Sequence, residues 1–263
     1  MEVVIAKNYD EMSKIATNII RDQILKKPNS VLGLATGGTP VGTYKELVRM
    51  HKQEGLDFSK VITFNLDEYL GIPDDHPERY MNFMKSNLFN QINIRPDAIH
   101  VPTNIWEHVE EFCQWYEDEI DKAGGIDLQL LGIGPDGHIA FNEPTSSFAS
   151  RTRVKTLDES TIKANARFFN NDESKVPKYA VTMGVGTILE AKTLLLLANG
   201  KKKAGIVAQF IEGPITSMIT ASALQLHPKP IVVLDEDSAS DLKLKDYFKW
   251  VYSNKPKKYL EEQ

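Results

Sequence analysis

At 263 residues, 41% apolar and 25% charged, the chain has enough apolar material for one large α/β domain and enough charge to stay in solution. Its net charge of −5 disfavours non-specific binding to nucleic acid or anionic lipid, since both need a basic field. The single cysteine, Cys113, excludes an intramolecular disulfide, no stretch approaches the roughly 20 apolar residues of a membrane span, and the acidic, briefly apolar start is no signal peptide, so the cytoplasm is the expected location.

Short apolar runs alternate with amphipathic stretches. Residues 3–6 predict a strand and residues 9–25 a helix, with Met12, Ile15, Ala16 and Ile19 on one face and Asn8 with Glu11 as a capping box. Residues 31–35 predict a strand that runs into a glycine turn and a helix over 41–52. A strand at 61–64, a helix over 79–89, a short strand at 99–101 and a helix over 105–122 carrying Cys113 come next. Apolar strands at 127–133, 193–198 and 230–234 follow, with helical stretches near 203–211 and 218–224. Near-continuous apolar strands alternating with helices predict a Rossmann-like three-layer sandwich with a mostly parallel central sheet, here as one domain over 1–263. Residues 150–178 break the rhythm. They are polar, carry Arg151, Arg153, Lys155 and Arg167, and read as a poor core and a lid or subunit-contact insertion.

Ligands of parallel α/β sheets bind beyond the carboxyl ends of the strands, and the unusual residues of this chain follow four such strands. The first group is Thr36-Gly37-Gly38-Thr39-Pro40. Two glycines opening a helix suit a phosphate, although a plain strand-to-helix turn needs the same residues. No Walker lysine and no G-x-G-x-x-G follows, which argues against a nucleoside triphosphate or a dinucleotide. Asp67 and Glu68 end the second strand as a capping pair or a base on a carbon acid.

Asp136-Gly137-His138 with Glu143 follows the third strand. An imidazole between two carboxylates can move protons near neutral pH, although a structural histidine beside a turn aspartate would look alike. Lys201, Lys202 and Lys203 follow the fourth. Cations at the start of a helix oppose its dipole unless an anion sits between them and the glycine turn, and Arg167 is a further candidate for that anion. A metal on Asp67, Glu68 and His138 is conceivable but lacks a ligand-spacing pattern, so no metal is expected. The other histidines, His51, His76, His100, His108 and His227, keep no such company.

Taken together, Phe64-Asn65-Leu66-Asp67-Glu68-Tyr69, Gly134-Pro135-Asp136-Gly137-His138-Ile139-Ala140-Phe141-Asn142-Glu143-Pro144 and Ala164-Asn165-Ala166-Arg167-Phe168-Phe169 resemble the glucosamine-6-phosphate deaminase family. Residues 36–40, 150–157, 176–189 and 224–228 resemble it too, in order and with matching spacing; the stretch after Asp237 does so least. The resemblance implies isomerisation and deamination of glucosamine 6-phosphate to fructose 6-phosphate and ammonium, without metal or organic cofactor. It makes Asp67 the base between C2 and C1, and His138 the ring-opening group tuned by Asp136 and Glu143. Gly37, Gly38 and Thr39, with Arg167 and Lys203, would hold the phosphate; Lys203 is chosen by register among three neighbours.

Oligomeric members of the family also bind N-acetylglucosamine 6-phosphate as an activator at subunit contacts. By the same resemblance a homo-oligomer, a hexamer, is expected, with Ser146, Arg153, Lys155, Thr156 and Tyr247 at that second site. Two alternatives remain open. A 6-phosphogluconolactonase-like hydrolase of the same architecture would leave Asp67 without a role. A non-catalytic sugar-phosphate sensor in a transcription regulator would need a DNA-binding segment, and neither terminus shows one.

Overall fold

The computed structural model describes residues 1–256, and the last seven positions of the expected domain lie outside the described residues. In chain order the elements are β1 (Glu2–Ala6), α1 (Tyr9–Lys26), β2 (Val31–Leu34), α2 (Val41–Glu54), β3 (Ile62–Asn65), β4 (Asp67–Tyr69) and α3 (Tyr80–Asn87). Then come β5 (Ile99–His100), α4 (Val109–Lys122), β6 (Leu128–Leu131), β7 (Arg153–Thr156), α5 (Glu159–Asn165), β8 (Tyr179–Thr182) and α6 (Val185–Leu189). The last four are β9 (Leu194–Ala198), α7 (Ala204–Glu212), β10 (Pro230–Asp235) and α8 (Lys245–Ser253).

Seven strands pair in parallel in the order β1-β10-β9-β6-β2-β3-β5, and helices flank the sheet. Every residue of β2, β6, β9 and β10 is buried, which is why these strands read as apolar runs without alternation. From β2 the chain winds outward through β3 and β5. It then returns to the other side of β2 as β6 and winds the opposite way. The loops that leave β2 and β6 therefore diverge, and such a reversal opens a crevice at the carboxyl edge of the sheet.

A second sheet was not foreseen. Strands β4, β8 and β7 form an antiparallel sheet of three, with Asp67 opposite Thr182 and Arg153 opposite Thr182 on its other side. The chain passes between the sheets at Leu66, whose N–H still donates to Leu34 O at 3.1 Å while its carbonyl accepts from Met183 N at 2.8 Å. The segment read as a poor core has a core of its own. Leu157, Ala166, Phe169 and Val176 pack with Tyr69 and Phe141, with the Phe169 ring edge-on to Tyr69 at 5.8 Å. These apolar residues are too sparse along the chain to show a period, so polarity alone was a poor guide there.

Smaller differences lie at element ends. Asn8 does cap α1 by accepting from Glu11 N at 2.9 Å, but the Glu11 carboxylate turns back to Lys7 N rather than Asn8 N. The helix expected from 105 begins at Val109, after an exposed Ile105-Trp106 pair and His108 at φ 55°. The expected helix near 218–224 is a 3-10 turn over Thr220–Leu226. Among the described residues no helix is long and apolar enough to cross a membrane.

One buried carboxylate holds the second sheet to the first layer. Glu117 of α4 accepts from Thr152 N at 2.7 Å, from Thr187 Oγ1 at 2.7 Å and from Arg151 Nη2 at 2.6 Å, and also meets the Thr152 hydroxyl. Removing it strands the buried Thr152 N–H and leaves Arg151 with Glu190 alone. Glu117→Ala is expected to cost about 3 kcal/mol in urea unfolding; a loss below about 1 kcal/mol would show that Glu117 does not anchor the segment.

Candidate active site

Two adjacent carboxylates at the corner between the sheets have opposite surroundings. Glu68 is fully buried and accepts from Tyr69 N at 2.9 Å, Tyr80 N at 3.0 Å and Met81 N at 3.2 Å, with Arg79 Nε at 3.8 Å. It therefore serves the orphan N–H groups that open α3, so the capping half of the two-way reading belongs to Glu68. Asp67 is 7% exposed, and no hydrogen bond reaches its carboxylate among the described residues. Burial, then the charge of Glu68, pushes Asp67 up to about 8, while His138 pulls it back. A carboxylate without donors is a strong base for its kind, because no hydrogen bond stabilises its charged form against desolvation.

His138 comes from the loop after β6, which is pinned throughout. Gly134 N donates to His138 O at 2.8 Å, Ile139 N to Thr220 Oγ1 at 3.2 Å, and Phe141 N to Thr182 Oγ1 at 3.0 Å. The Asn142 amide donates to Ile139 O at 3.0 Å and Met183 O at 2.8 Å, and its oxygen accepts from Arg153 Nη1 at 3.0 Å. Two residues are held left-handed, Ala140 at φ 51° and Thr145 at φ 72°, the second a costly state for a β-branched side chain. Glycine is required at 134, where a Cβ would fall 2.4 Å from the imidazole.

The imidazole Nδ1 lies 2.7 Å from Asp136 Oδ1 and 3.6 Å from Glu143 Oε2. Nδ1 and Glu143 Oε2 have no other partner among the described residues, so the imidazole and its two acids form one buried ion cluster. Burial alone would lower the imidazole, but Asp136 and then Glu143 outweigh it and lift His138 to about 9. Burial likewise would raise Asp136, yet His138 holds it below the usual carboxylate range. The ring is cationic at neutral pH, and its Nε2–H has no protein acceptor among the described residues. A proton is thus available at the end away from the two acids.

The cation end forms from three loops. Thr39 Oγ1 donates to Asn199 Oδ1 at 2.8 Å, joining the glycine turn to the loop after β9. Lys203 Nζ donates to Ile133 O at 2.7 Å, joining that loop to the end of β6. Burial, then the charge of Arg167, lowers the Lys203 ammonium to about 8, so two cations share one region. Neither has a carboxylate within 4.0 Å among the described residues. Lys201, by contrast, is engaged by Asp241 at 3.2 Å, and Lys202 is exposed. The geometry favours Lys203 among its neighbours.

The five residues assigned to an activator do not all gather. Ser146 is buried with an unpaired hydroxyl and its N–H bonds Glu143 O at 3.1 Å; Arg153 reaches Asn142. Lys155 shares a face of β7 with Arg153, and Thr156 ends that strand, exposed. Tyr247 lies on α8, which packs on the edge strand β1, and its 57% exposed ring meets Phe248 instead. For a metal, the structure replaces the Asp67–Glu68–His138 grouping. Ligand atoms of Asp136, His138 and Glu143 lie within 4.8 Å of one another and could hold an ion. A protonated imidazole meets the same need with its own charge.

Asn142, Asn199 and Asp235 were not singled out from the sequence. Asp235 accepts from Gly200 N at 3.0 Å and Ser238 N at 2.8 Å, shaping the lysine turn. Asn199 and Asp235 carried a signal of position, one residue beyond or at the end of a strand, whereas Asn142 lies well inside the loop after β6.

Over residues 6–232 the chain matches the family described as glucosamine-6-phosphate isomerases/6-phosphogluconolactonase. The chain belongs to that family. It is 53% identical over 240 residues to a glucosamine-6-phosphate deaminase of Thermoanaerobacter pseudethanolicus, covering 91% of this chain and 94% of the relative. A solved structure described as a monomeric glucosamine-6-phosphate deaminase superposes with a TM-score of 0.89 at 47% identity, covering 92% of this chain and all of that one. The 6-phosphogluconolactonase from Trypanosoma cruzi, at 21% identity and a TM-score of 0.72 over 92% of this chain and 97% of that one, shares the fold.

The ion cluster has a measurable signature. By NMR, His138 is expected to titrate near 9 rather than its ordinary 6.5. Asp136→Asn should lower that midpoint by roughly one unit or more. Because the folded value is the higher one, the cluster's stabilisation is complete below pH 6.5 and drains away as pH rises through 9. A midpoint near 6.5 in the intact chain would refute the cationic imidazole.

Proposed function

We propose that this chain converts glucosamine 6-phosphate to fructose 6-phosphate and ammonium. The observation that carries the reading is Asp67, a buried carboxylate without hydrogen-bond donors, raised to about 8 and set within the field of a cationic His138. Such a pair suits proton abstraction from carbon beside a carbonyl. A lactone hydrolase has no use for it, and the relatives at about half identity carry the deaminase name, whereas the lactonases share only the fold. A sensor would not need a desolvated base at all.

The chemistry runs in three stages. His138 gives its Nε2 proton to the ring oxygen as the C1–O5 bond opens, and the C1 hydroxyl proton leaves, producing the open-chain 2-amino aldehyde. Asp67 takes the C2 proton while the C1 carbonyl oxygen takes up a proton from solvent, giving the C1–C2 enolamine; Asp67 then returns its proton to C1, leaving a hydroxymethyl at C1 and an iminium at C2. Water then replaces nitrogen at C2 and ammonium departs. No step calls for a metal or an organic cofactor.

Remote grip positions these atoms. Gly37, Gly38 and Thr39 present backbone N–H groups at the start of α2, and Lys203 with Arg167 supplies the charge for an ester bearing about −1.5 to −2. Binding energy at the phosphate then holds C1 and C2 against Asp67. Residues 150–178 act as the lid: β7 stays with the second sheet, while the stretch beyond it brings Arg167 over the sugar and excludes water.

Regulation and assembly are the finer part of the proposal. N-acetylglucosamine 6-phosphate is the activator we assign to Ser146, Arg153, Lys155 and Thr156. Tyr247 would join them only across a subunit contact. The hexamer expected from the family finds no support in the solved relative, which is described as monomeric. We place the work in the cytoplasm, consistent with one unpaired, buried thiol at Cys113.

A coupled assay for ammonium from glucosamine 6-phosphate tests the core reading, run with and without N-acetylglucosamine 6-phosphate and EDTA. Release of ammonium that survives EDTA is expected. Lactone hydrolysis without ammonium would reverse the assignment, and loss with EDTA, restored by a divalent ion, would place a metal on Asp136, His138 and Glu143. A second measurement isolates the base. Asp67→Asn should still bind the sugar phosphate but lose exchange of the C2 proton with solvent by at least about a hundredfold; undiminished exchange would remove Asp67 from the mechanism.

A further inference from the structure

The glycine turn after β2 has no side-chain cap of its own, since α2 begins after Pro40 and no side chain of the turn satisfies its first N–H groups. A residue from a different element does so. Tyr9, the first residue of α1, places its phenol oxygen 2.8 Å from Gly42 N, from which it accepts. The same hydroxyl donates toward Gly38 O at 3.2 Å and Thr39 O at 3.1 Å. One hydroxyl thus ties three backbone positions of the turn, Gly38, Thr39 and Gly42, from 29 to 33 residues away in sequence.

We propose that Tyr9 is a positioning residue of the phosphate site, its hydroxyl holding the peptide planes of the glycine turn so that the Thr39 N–H faces the ligand. The argument is geometric. The carbonyl of Gly38 and the N–H of Thr39 belong to one trans peptide plane and point in opposite directions. Anchoring Gly38 O on the α1 side therefore turns Thr39 N–H away from α1. The Thr39 carbonyl, held the same way, precedes Pro40 and carries no N–H of its own. On the other side the Thr39 hydroxyl reaches Asn199, so the turn is gripped between two elements before any anion arrives.

Gly37, at φ 96°, gives that turn the freedom to collapse without such supports. Gly42 completes the arrangement, because a Cβ there would fall 2.9 Å from the Tyr9 ring and 2.3 Å from Ser13 Oγ. The close approach of α1 to α2 that this glycine permits is what lets the phenol reach a backbone N–H.

The inference rests on the glycine turn being the phosphate site. Tyr9→Phe removes one oxygen and keeps the ring, and is compared with the intact chain in three ways: calorimetric binding of inorganic phosphate, KM and kcat for glucosamine 6-phosphate, and thermal melting. A positioning role predicts weaker phosphate binding and a higher KM, each by about fivefold, with kcat within about twofold. Gly42→Ala, which pushes the ring aside by another route, should weaken phosphate binding in the same direction. Unchanged phosphate affinity and KM in Tyr9→Phe, with only a lower melting temperature, overturns the proposal and leaves the hydroxyl a helix cap. An intact chain that binds phosphate but releases no ammonium sinks the deaminase reading while the binding arm still decides on Tyr9. An intact chain that binds no phosphate sinks both.

Discussion

Taking a carboxylate out of water without giving it donors is costly, and Asp67 meets that cost by holding its proton up to about pH 8, against the opposing pull of the buried His138 imidazolium. That imidazolium is itself burdened by burial and owes its charge to Asp136 and Glu143. Three acids and one base thus depend on each other, and none would hold its state in isolation. The arrangement also divides labour. Asp136 and Glu143 occupy Nδ1, Glu68 is absorbed by the start of α3, and only Asp67 and Nε2 are left to act on a ligand.

The fold supplies this by bringing two sheets to one corner. A parallel sheet alone would deliver Asp67, His138 and Lys203 at strand ends, with loops free to wander. The small antiparallel sheet fixes Asp67 and the His138 loop. Thr182 of β8 lies opposite Asp67 in the ladder and its hydroxyl accepts from Phe141 in the His138 loop, so one residue sets the spacing of base and acid. Asn142 carries the linkage on to Arg153 of β7, where the candidate lid begins. That segment is thereby tied to the loop bearing Glu143, whose Oε1 also accepts from Asp158 N at 3.1 Å.

Much of this was legible in the sequence, for identifiable reasons. The strands of the large sheet are short, apolar and flanked by polar helices, so β2, β6, β9 and β10 announced themselves through burial on both faces. The site residues stood out because charge, glycine and histidine clustered just after those strands. What stayed hidden depends on partners distant in the chain. Strand β4 is three residues, Asp-Glu-Tyr, and becomes a strand only because β8 pairs with it more than a hundred residues later. Glu68 and Asp67 could not be told apart from composition, since their difference is whether α3 turns its N-terminus toward one of them. Lys203 and Lys201 are likewise the same residue in sequence and opposite in role, one turned inward to Ile133 and the other held outward by Asp241.

The cation end follows a different logic from the proton-transfer end, and the contrast bears on order of events. At the His138 cluster the cation already has its acidic partners within the chain. Lys203 and Arg167 have no such partner among the described residues: two cations lie near each other, and burial holds Lys203 at about 8. An arriving dianion relieves that repulsion and raises the lysine back toward its ordinary charge, so ligand binding and protonation of Lys203 favour each other. The relief is greatest when Arg167 is drawn in with the anion. Arg167 sits on the segment beyond β7, so under the proposed function the phosphate itself is what would draw that segment toward the site. On that proposal the proton-transfer groups would meet the sugar only after its far end has been secured, which is the sequence of events a carbon acid needs if its anion is not to be met by bulk water.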